Sequence, residues 1–148
     1  MDRLVAATFV ITTLAGALPV QAAGPAEVVH EWALAHEDGS ADRAAQLYTP
    51  NARVWSLAAP REWVGHDDIG HYLVVFALGA ARPDFRIESY SLMPVGEQVV
   101  VASGHCAVVR EQWDGSAARE DCRFSLTLVR GGDGAWRIAE QHSSALPR

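Results

Sequence analysis

From Phe85 to its end this chain reads as strand after strand, and every helical pattern lies before that point. Runs from Phe85 to Met93, Gln98 to Gln112, Ala118 to Arg130 and from Trp136 onward alternate or are rich in β-branched residues. They are separated by Pro94-Val95-Gly96-Glu97, Trp113-Asp114-Gly115-Ser116 and Gly131-Gly132-Asp133-Gly134. Short Gly-bearing turns of this kind join strands that pair antiparallel. Upstream, Pro25 suits a first helical position, and Val28, Val29, Trp32 and Ala35 recur at helical spacing, predicting a helix from Pro25 to about Glu37. Asp38-Gly39 breaks it. Ser40 caps a short second helix carrying Ala44, Leu47 and Tyr48, which Pro50 stops; Asn51 to Leu57 then reads as a strand and Ala58 to Val64 as a loop. Asp67 caps a third helix with Ile69, Tyr72, Leu73 and Phe76 on one face, ended by Gly79. Helices first and strands afterwards predict an α+β domain, with the helices packed on one face of a curved antiparallel sheet. A sheet closing around helices leaves a conical pocket open at one end, where ligands bind.

The chain has 148 residues, enough for one domain with a real core. Residues 1–22 read as a secretory signal peptide. Met1-Asp2-Arg3 is a short polar start, Leu4 to Leu18 is apolar and uncharged, and Val20-Gln21-Ala22 offers a small-residue cleavage site. A membrane anchor is the alternative, but spanning takes about 20 apolar residues and this run is shorter. The domain is then 23–148. It keeps the net charge of −6, because Asp2 and Arg3 cancel. That acidity argues against a nucleic-acid surface or an anionic membrane surface, and no stable membrane insertion is expected after cleavage.

Cys106 and Cys122 lie equally far from Asp114, the centre of a predicted hairpin turn, so they face each other across adjacent strands. In an exported chain this pair favours one disulfide; two buried thiols acting as small hydrophobes are the alternative. The same register sets Arg123 opposite His105 and Ser125 opposite Ser103 on one face. Val100, Ala102, Phe124, Leu126 and Leu128 make the other face core. Simple alternation in the last strand puts Glu140 and His142 on the face of Trp136 and Ile138.

Several ordered motifs resemble one family. They are Asp38-Gly39 followed by Ala44, Leu47-Tyr48 and Asn51-Ala52; Gly65 with Ile69 and Tyr72; Val99 to Gly104; Arg123-Phe124-Ser125; and Trp136 and Ile138 with His142-Ser143-Ser144 and Pro147. Together they resemble the SnoaL-like branch of the NTF2-like superfamily, in particular its SgcJ/EcaC-type members and the association domain of calcium/calmodulin-dependent protein kinase. The resemblance implies a cone-shaped α+β fold and self-association, most simply as a homodimer through the exposed sheet face. It does not carry over a reaction. The catalytic aspartate of the superfamily's ketosteroid isomerases falls near Ser56. The Asp-Arg-Asp cluster of its epoxide hydrolases has Asp121 and Arg123 here, with only Glu140 near the third place. Relatives often carry two adjacent histidines at the ending, where this chain has Gln141 and His142, and threonine where it has Ser125.

The residue types that remain suit recognition of an anion. A guanidinium fork fits a carboxylate. Arg123, His142 and His105, with Ser125 beside them and Tyr72 or Trp55 on a wall, are expected to receive a ligand carboxylate or polarised carbonyl. The bland alternative is that Arg123 pairs internally with Glu88, Glu111 or Glu140, or simply sits on a solvated sheet face. Three functions follow from these residues. The first is binding of a small organic molecule. The second is a cofactor-independent isomerase, cyclase or hydrolase with His142 as acid/base and Arg123 as electrostatic stabiliser. The third is a homo-oligomeric assembly module. No dinucleotide or phosphate-loop fingerprint occurs, and Asp67, His66 and His71 make no HExxH or Cys/His set, so no cofactor or metal is expected. Export has a direct test. N-terminal sequencing of the secreted or periplasmic protein should begin at Ala23, and a mature cytoplasmic chain retaining Met1 would contradict it.

Overall fold

The computed structural model describes residues 23–56, 59–78, 84–112 and 114–147; the expected signal segment and Trp113 lie outside them. The elements are α1 (Pro25–Glu37), α2 (Ala41–Ala45), β1 (Tyr48–Ser56), β2 (Ala59–Val64), α3 (Gly65–Leu78), β3 (Asp84–Pro94), β4 (Val99–Glu111), β5 (Ala117–Arg130) and β6 (Trp136–Ala145). Pro25 opens α1, whose Val28, Val29, Trp32 and Ala35 are buried as the spacing predicts, together with His36. Gly39, at φ 67°, then supplies the left-handed residue that turns the chain away.

Three local expectations need correction. Tyr48 opens β1 instead of ending the second helix. Residues 59–64 form a strand, β2, paired antiparallel with β1 through Arg53↔Val64, Val54↔Trp63 and Trp55↔Glu62. Its Arg-Glu-Trp composition lacks the β-branched signature, so pairing and the burial of Trp63 decide it, not propensity. At the start of α3 the carboxylate near the free N–H groups is Asp68, not Asp67: Asp68 accepts from the Val64 N–H at 3.0 Å and from the Arg61 guanidinium at 2.9 Å.

The sheet has six strands in the order β2-β1-β6-β5-β4-β3. It is antiparallel except where β1 runs parallel to β6. In the β4–β5 hairpin His105 opposes Arg123, Ser103 opposes Ser125 and Cys106 opposes Cys122, as expected from the turn at Asp114. The two cysteines form a disulfide with a Cα–Cα distance of 4.9 Å. Cross-linking positions 16 residues apart removes unfolded-chain entropy equivalent to about 3 kcal/mol.

Two one-residue irregularities decide which side chains face which way. Ile87 pairs with Cys106 but Ser89 with His105, so Glu88 is extra in β3. Leu128 pairs with Ile138 but Thr127 with Glu140, so Ala139 is extra in β6. Each extra residue reverses the alternation beyond it. Ile138 is therefore buried while Glu140 and His142 are exposed on the other face, and Gln141 takes the inward position. The expectation that Glu140 and His142 share a face with Ile138 is overturned by this bulge.

Helices α1 and α3 lie against the apolar sheet face, and α2 packs against both of them. Trp32 sits at the centre of the core, its ring 5.2 Å from the rings of both Phe85 and Phe124 and 4.8 Å from His36. Among the described residues no helix is long and apolar enough to cross a membrane.

Beside the β3 irregularity, Gly104 lets the strands approach closely. A Cβ there would stand 2.0 Å from the Ser89 carbonyl oxygen and 2.7 Å from the Tyr90 Cα. Both are on the paired strand backbone, so no side-chain rotation relieves the clash. Gly104→Ala should therefore destabilise the domain by about 1–3 kcal/mol, the usual cost of overpacking. Urea denaturation checks this, and an unchanged midpoint would show that β3 can yield freely.

Candidate functional site

The outward face of the sheet carries a polar array whose members are register partners. One transverse row is Ser89 on β3, His105 on β4, Arg123 on β5 and Ser144 on β6. The next row is Ser91, Ser103, Ser125 and His142, continued on β1 by Trp55. Neighbouring strands lie about 4.8 Å apart, so each side chain is in reach of the next. These two rows, apart from Trp55, line an open cleft of about 710 Å³. Arg123 and His142, on adjacent strands, face the same side, and His105 and Ser125 lie between or beside them.

Arg123 is exposed and donates from Nε to the Ser144 hydroxyl at 3.0 Å. Among the described residues it pairs with no carboxylate, so the internal pairing with Glu88, Glu111 or Glu140 is not made. Glu88 is engaged instead by Arg119, which also holds Asp121 at 2.8 Å; Arg86 is paired with Asp84 at 2.7 Å. This ion-pair cluster flanks the cleft and occupies the nearest acids, leaving the terminal nitrogens of Arg123 available. An exposed guanidinium is well solvated, so its freedom has meaning only with its surroundings: two histidines and five hydroxyls on one rigid sheet. Among the described residues His105 and His142 make no side-chain hydrogen bond. The array can donate to an anion and exchange hydrogen bonds with a polar ligand. It contains no hydrogen-bonded acid–base pair of the kind that orients a catalytic histidine.

Tyr72 does not join this cleft. It projects from α3 into the core on the opposite side of the sheet, 2 % exposed. Among the described residues the helices lie on the apolar side of the sheet, and none supplies a wall for Arg123. Trp55 does lie on the outward face, 43 % exposed, at the end of the second row.

Inside the cone a second polar set appears. Gln141 is 1 % exposed. Its carbonyl oxygen accepts from Trp32 Nε1 at 3.0 Å and from the Tyr48 hydroxyl. Its amide nitrogen donates to the Tyr72 hydroxyl at 3.3 Å and to Ser143 Oγ at 3.4 Å. Tyr72 in turn reaches His36 Nε2 at 3.5 Å, and His36 Nδ1 lies 2.8 Å from the Trp32 carbonyl oxygen. A carbonyl only accepts, so Nδ1 carries the proton and Nε2 accepts from Tyr72. The space bounded by Trp32, His36, Tyr72, Phe76 and Gln141 is small, about 10 Å³. Burial pushes the Tyr72 phenol up to about 12 and the Tyr48 phenol well above its usual value. Burial likewise lowers His36 to about 4, opposed by its backbone hydrogen bond. Sequence reasoning missed His36, Tyr48 and Gln141. The spacing of Trp32 and His36, four apart on the buried helix face, was the one visible signal; Gln141 was hidden by the bulge at Ala139.

Helices packed on one face of a strongly paired six-stranded sheet are the NTF2-like architecture, and the comparisons agree. The chain belongs to the SnoaL-like domain family, whose model matches residues 26–148. No curated protein matches it. Among solved structures it is similar to a protein from Xanthomonas campestris assigned as a calcium/calmodulin dependent protein kinase II association domain. That match has 23 % identity and a TM-score of 0.73, covering 89 % of this chain and 94 % of that one. It is also similar to an NTF2-like superfamily protein from Salmonella enterica serovar Typhimurium, at 15 % identity, TM-score 0.71 and coverage of 82 % and 88 %. A ketosteroid isomerase-like protein from Erwinia carotovora matches at 12 % identity and TM-score 0.70, over 83 % and 94 % of the two chains. At these identities the structures establish the fold alone.

The buried histidine makes stability pH-dependent. Its folded value of about 4 lies below the ordinary 6.5, so between these the unfolded chain binds more protons. Stability therefore falls as pH drops from 6.5 towards 4, by about 3 kcal/mol from this group when complete. His36→Asn, which keeps a donor for the Trp32 carbonyl and does not titrate, should flatten that part of the profile. Equal slopes for the two proteins in urea titrations at pH 7 and pH 4.5 would contradict it.

Proposed function

We propose that this SnoaL-like domain is an exported receptor for a small anionic organic molecule, bound in the outward cleft with Arg123 as its anchor. One observation carries the reading: among the described residues Arg123 pairs with no carboxylate, while His105, His142 and a set of serines line the same cleft from neighbouring strands. A carboxylate there accepts from the guanidinium fork and is flanked by imidazole and hydroxyl donors. The enzyme alternative, with His142 as acid/base, has less support, because among the described residues no hydrogen bond orients the ring. The space beside the interior set, between Trp32, His36, Tyr72 and Gln141, is about 10 Å³, too small for a substrate.

A second reading uses the same face as a homodimer interface. Trp55 and Met93 are exposed there at 43 % and 59 %, and Glu140, one row from His142, is an unpaired acid among the described residues. A two-fold axis lying along the Ser91–His142 row would bring a second copy's Glu140 alongside Arg123, an isologous contact.

One set of measurements separates the two readings. Citrate, succinate, phenylacetate and glucuronate are titrated calorimetrically, with light scattering on the same samples. The receptor reading expects at least one carboxylate to bind, and Arg123→Ala to weaken it by about 1.5 kcal/mol, roughly tenfold, the lower end for a charge-assisted contact in an open cleft. Binding unaffected by Arg123→Ala would remove the anchor. A dimer that Arg123→Ala dissociates, with no carboxylate bound, would favour the second reading.

A further inference from the structure

We infer that the ligand class of this cleft is an acidic saccharide: a pyranose carrying a carboxylate, or a short chain containing one. The inference rests on the anion-binding reading above and adds what the rest of the array recognises.

A simple carboxylate needs donors only. The second row offers something else. Ser91, Ser103 and Ser125 stand side by side on three adjacent strands, followed by His142 and then Trp55. Among the described residues the side chains of these three serines form no hydrogen bond. A hydroxyl both donates and accepts, so three of them at strand spacing match a molecule whose own edge alternates donors and acceptors, as the vicinal hydroxyls of a sugar do. An imidazole extends the row with one donor and one acceptor.

Trp55 supplies the other half of a sugar's surface. The chain's other described core tryptophans, Trp32 and Trp63, are 1 % and 6 % exposed, whereas Trp55 is 43 % exposed at the end of the hydroxyl row. An indole held on a strand presents a flat apolar plate with little conformational freedom to lose. The apolar C–H face of a pyranose fits such a plate while its hydroxyls meet the serines. Arg123 sits one row away, diagonal to His142, where the ring's carboxylate is received.

The charge pattern selects the acidic sugar over a polyanion. The cleft has one unpaired guanidinium, the other arginines beside it being tied to Asp84, Glu88 and Asp121. The chain as a whole carries −6. A densely charged polymer is repelled by that field. A saccharide with isolated carboxylates places one charge on Arg123 and neutral hydroxylated rings along the row.

Three probes test this on the full mature domain by calorimetry and tryptophan fluorescence: hyaluronan tetrasaccharide, in which acidic and neutral sugars alternate; chitotetraose, a neutral counterpart; and cyclohexanecarboxylate, a carboxylate ring without hydroxyls. The expected result is tetrasaccharide binding at least about tenfold tighter than either control, with Arg123→Gln losing about tenfold. Ser103→Ala with Ser125→Ala should weaken the tetrasaccharide severalfold, as for neutral hydrogen bonds, and by more than it weakens cyclohexanecarboxylate. The ligand-induced fluorescence change should vanish in Trp55→Leu. All four positions are surface side chains, and urea midpoints matching the parent confirm that the variants fold. Cyclohexanecarboxylate binding as tightly as the tetrasaccharide, through Arg123, overturns the saccharide inference and leaves the anion receptor standing. If neither binds, both fall. If light scattering shows a dimer that the tetrasaccharide does not disturb and that buries Trp55, the face belongs to a second copy and the inference is overturned.

Discussion

Gln141 lies in the middle of the core, and its carboxamide must find partners there or cost the domain several kcal/mol. The partners come from every layer: Trp32 on α1, Tyr48 on β1, Tyr72 on α3 and Ser143 on its own strand. Because an amide donates from one end and accepts at the other, the chain of bonds has one direction. It runs from Tyr48 and Trp32 through Gln141 to Tyr72, then to His36 and back to the Trp32 carbonyl. A helix displaced along the sheet would leave one of these groups unpaired in an aromatic interior. Apolar packing of Trp32 against Phe85 and Phe124 brings the layers together, but it is tolerant of sliding; the amide is not.

The same set explains why little space remains around it. Aromatic rings and the polar chain leave a void of about 10 Å³ between Trp32, His36, Tyr72, Phe76 and Gln141. His36 must stay neutral to accept from Tyr72, and burial enforces that by lowering its affinity for protons. These buried bonds make this part of the interior rigid, and the solvent-facing polar array lies on the opposite face of the sheet. There the strands present Arg123, His105, His142 and the serine row on a backbone held by the Cys106–Cys122 disulfide and by full pairing on both sides of β5.

Two single-residue bulges connect these halves. Without the extra residue at Ala139, Ile138 and His142 would share a face, placing an imidazole in the core and an amide in solvent. Without the one at Glu88, Ser89 and Ser91 would fall on the inner face beneath the helices. Each bulge therefore does two things: it keeps the apolar residues of one end of its strand inward, and it turns the polar residues of the other end outward. The polar array on the outer face depends on both.

The succession of helical and alternating patterns fixed the order of elements, the fold class and the register of the β4–β5 hairpin, because turns at Asp114-Gly115 and a period of two leave few alternatives. From that register the facing of His105 and Arg123 and the pairing of Cys106 with Cys122 were legible. What lay beyond the sequence was any feature set by contacts distant along the chain. The strand at 59–64 exists because β1 offers it an edge. Tyr72 points away from Arg123 because helices cover the apolar face. Glu140 and His142 reversed sides because a bulge leaves no composition signal while inverting every residue after it. The freedom of Arg123 was likewise decided in three dimensions, when Arg119, brought near by β5, took Glu88 and Asp121. Local periodicity reports which residues can share a face; only the paired sheet determines which face it is and which charges find each other upon it.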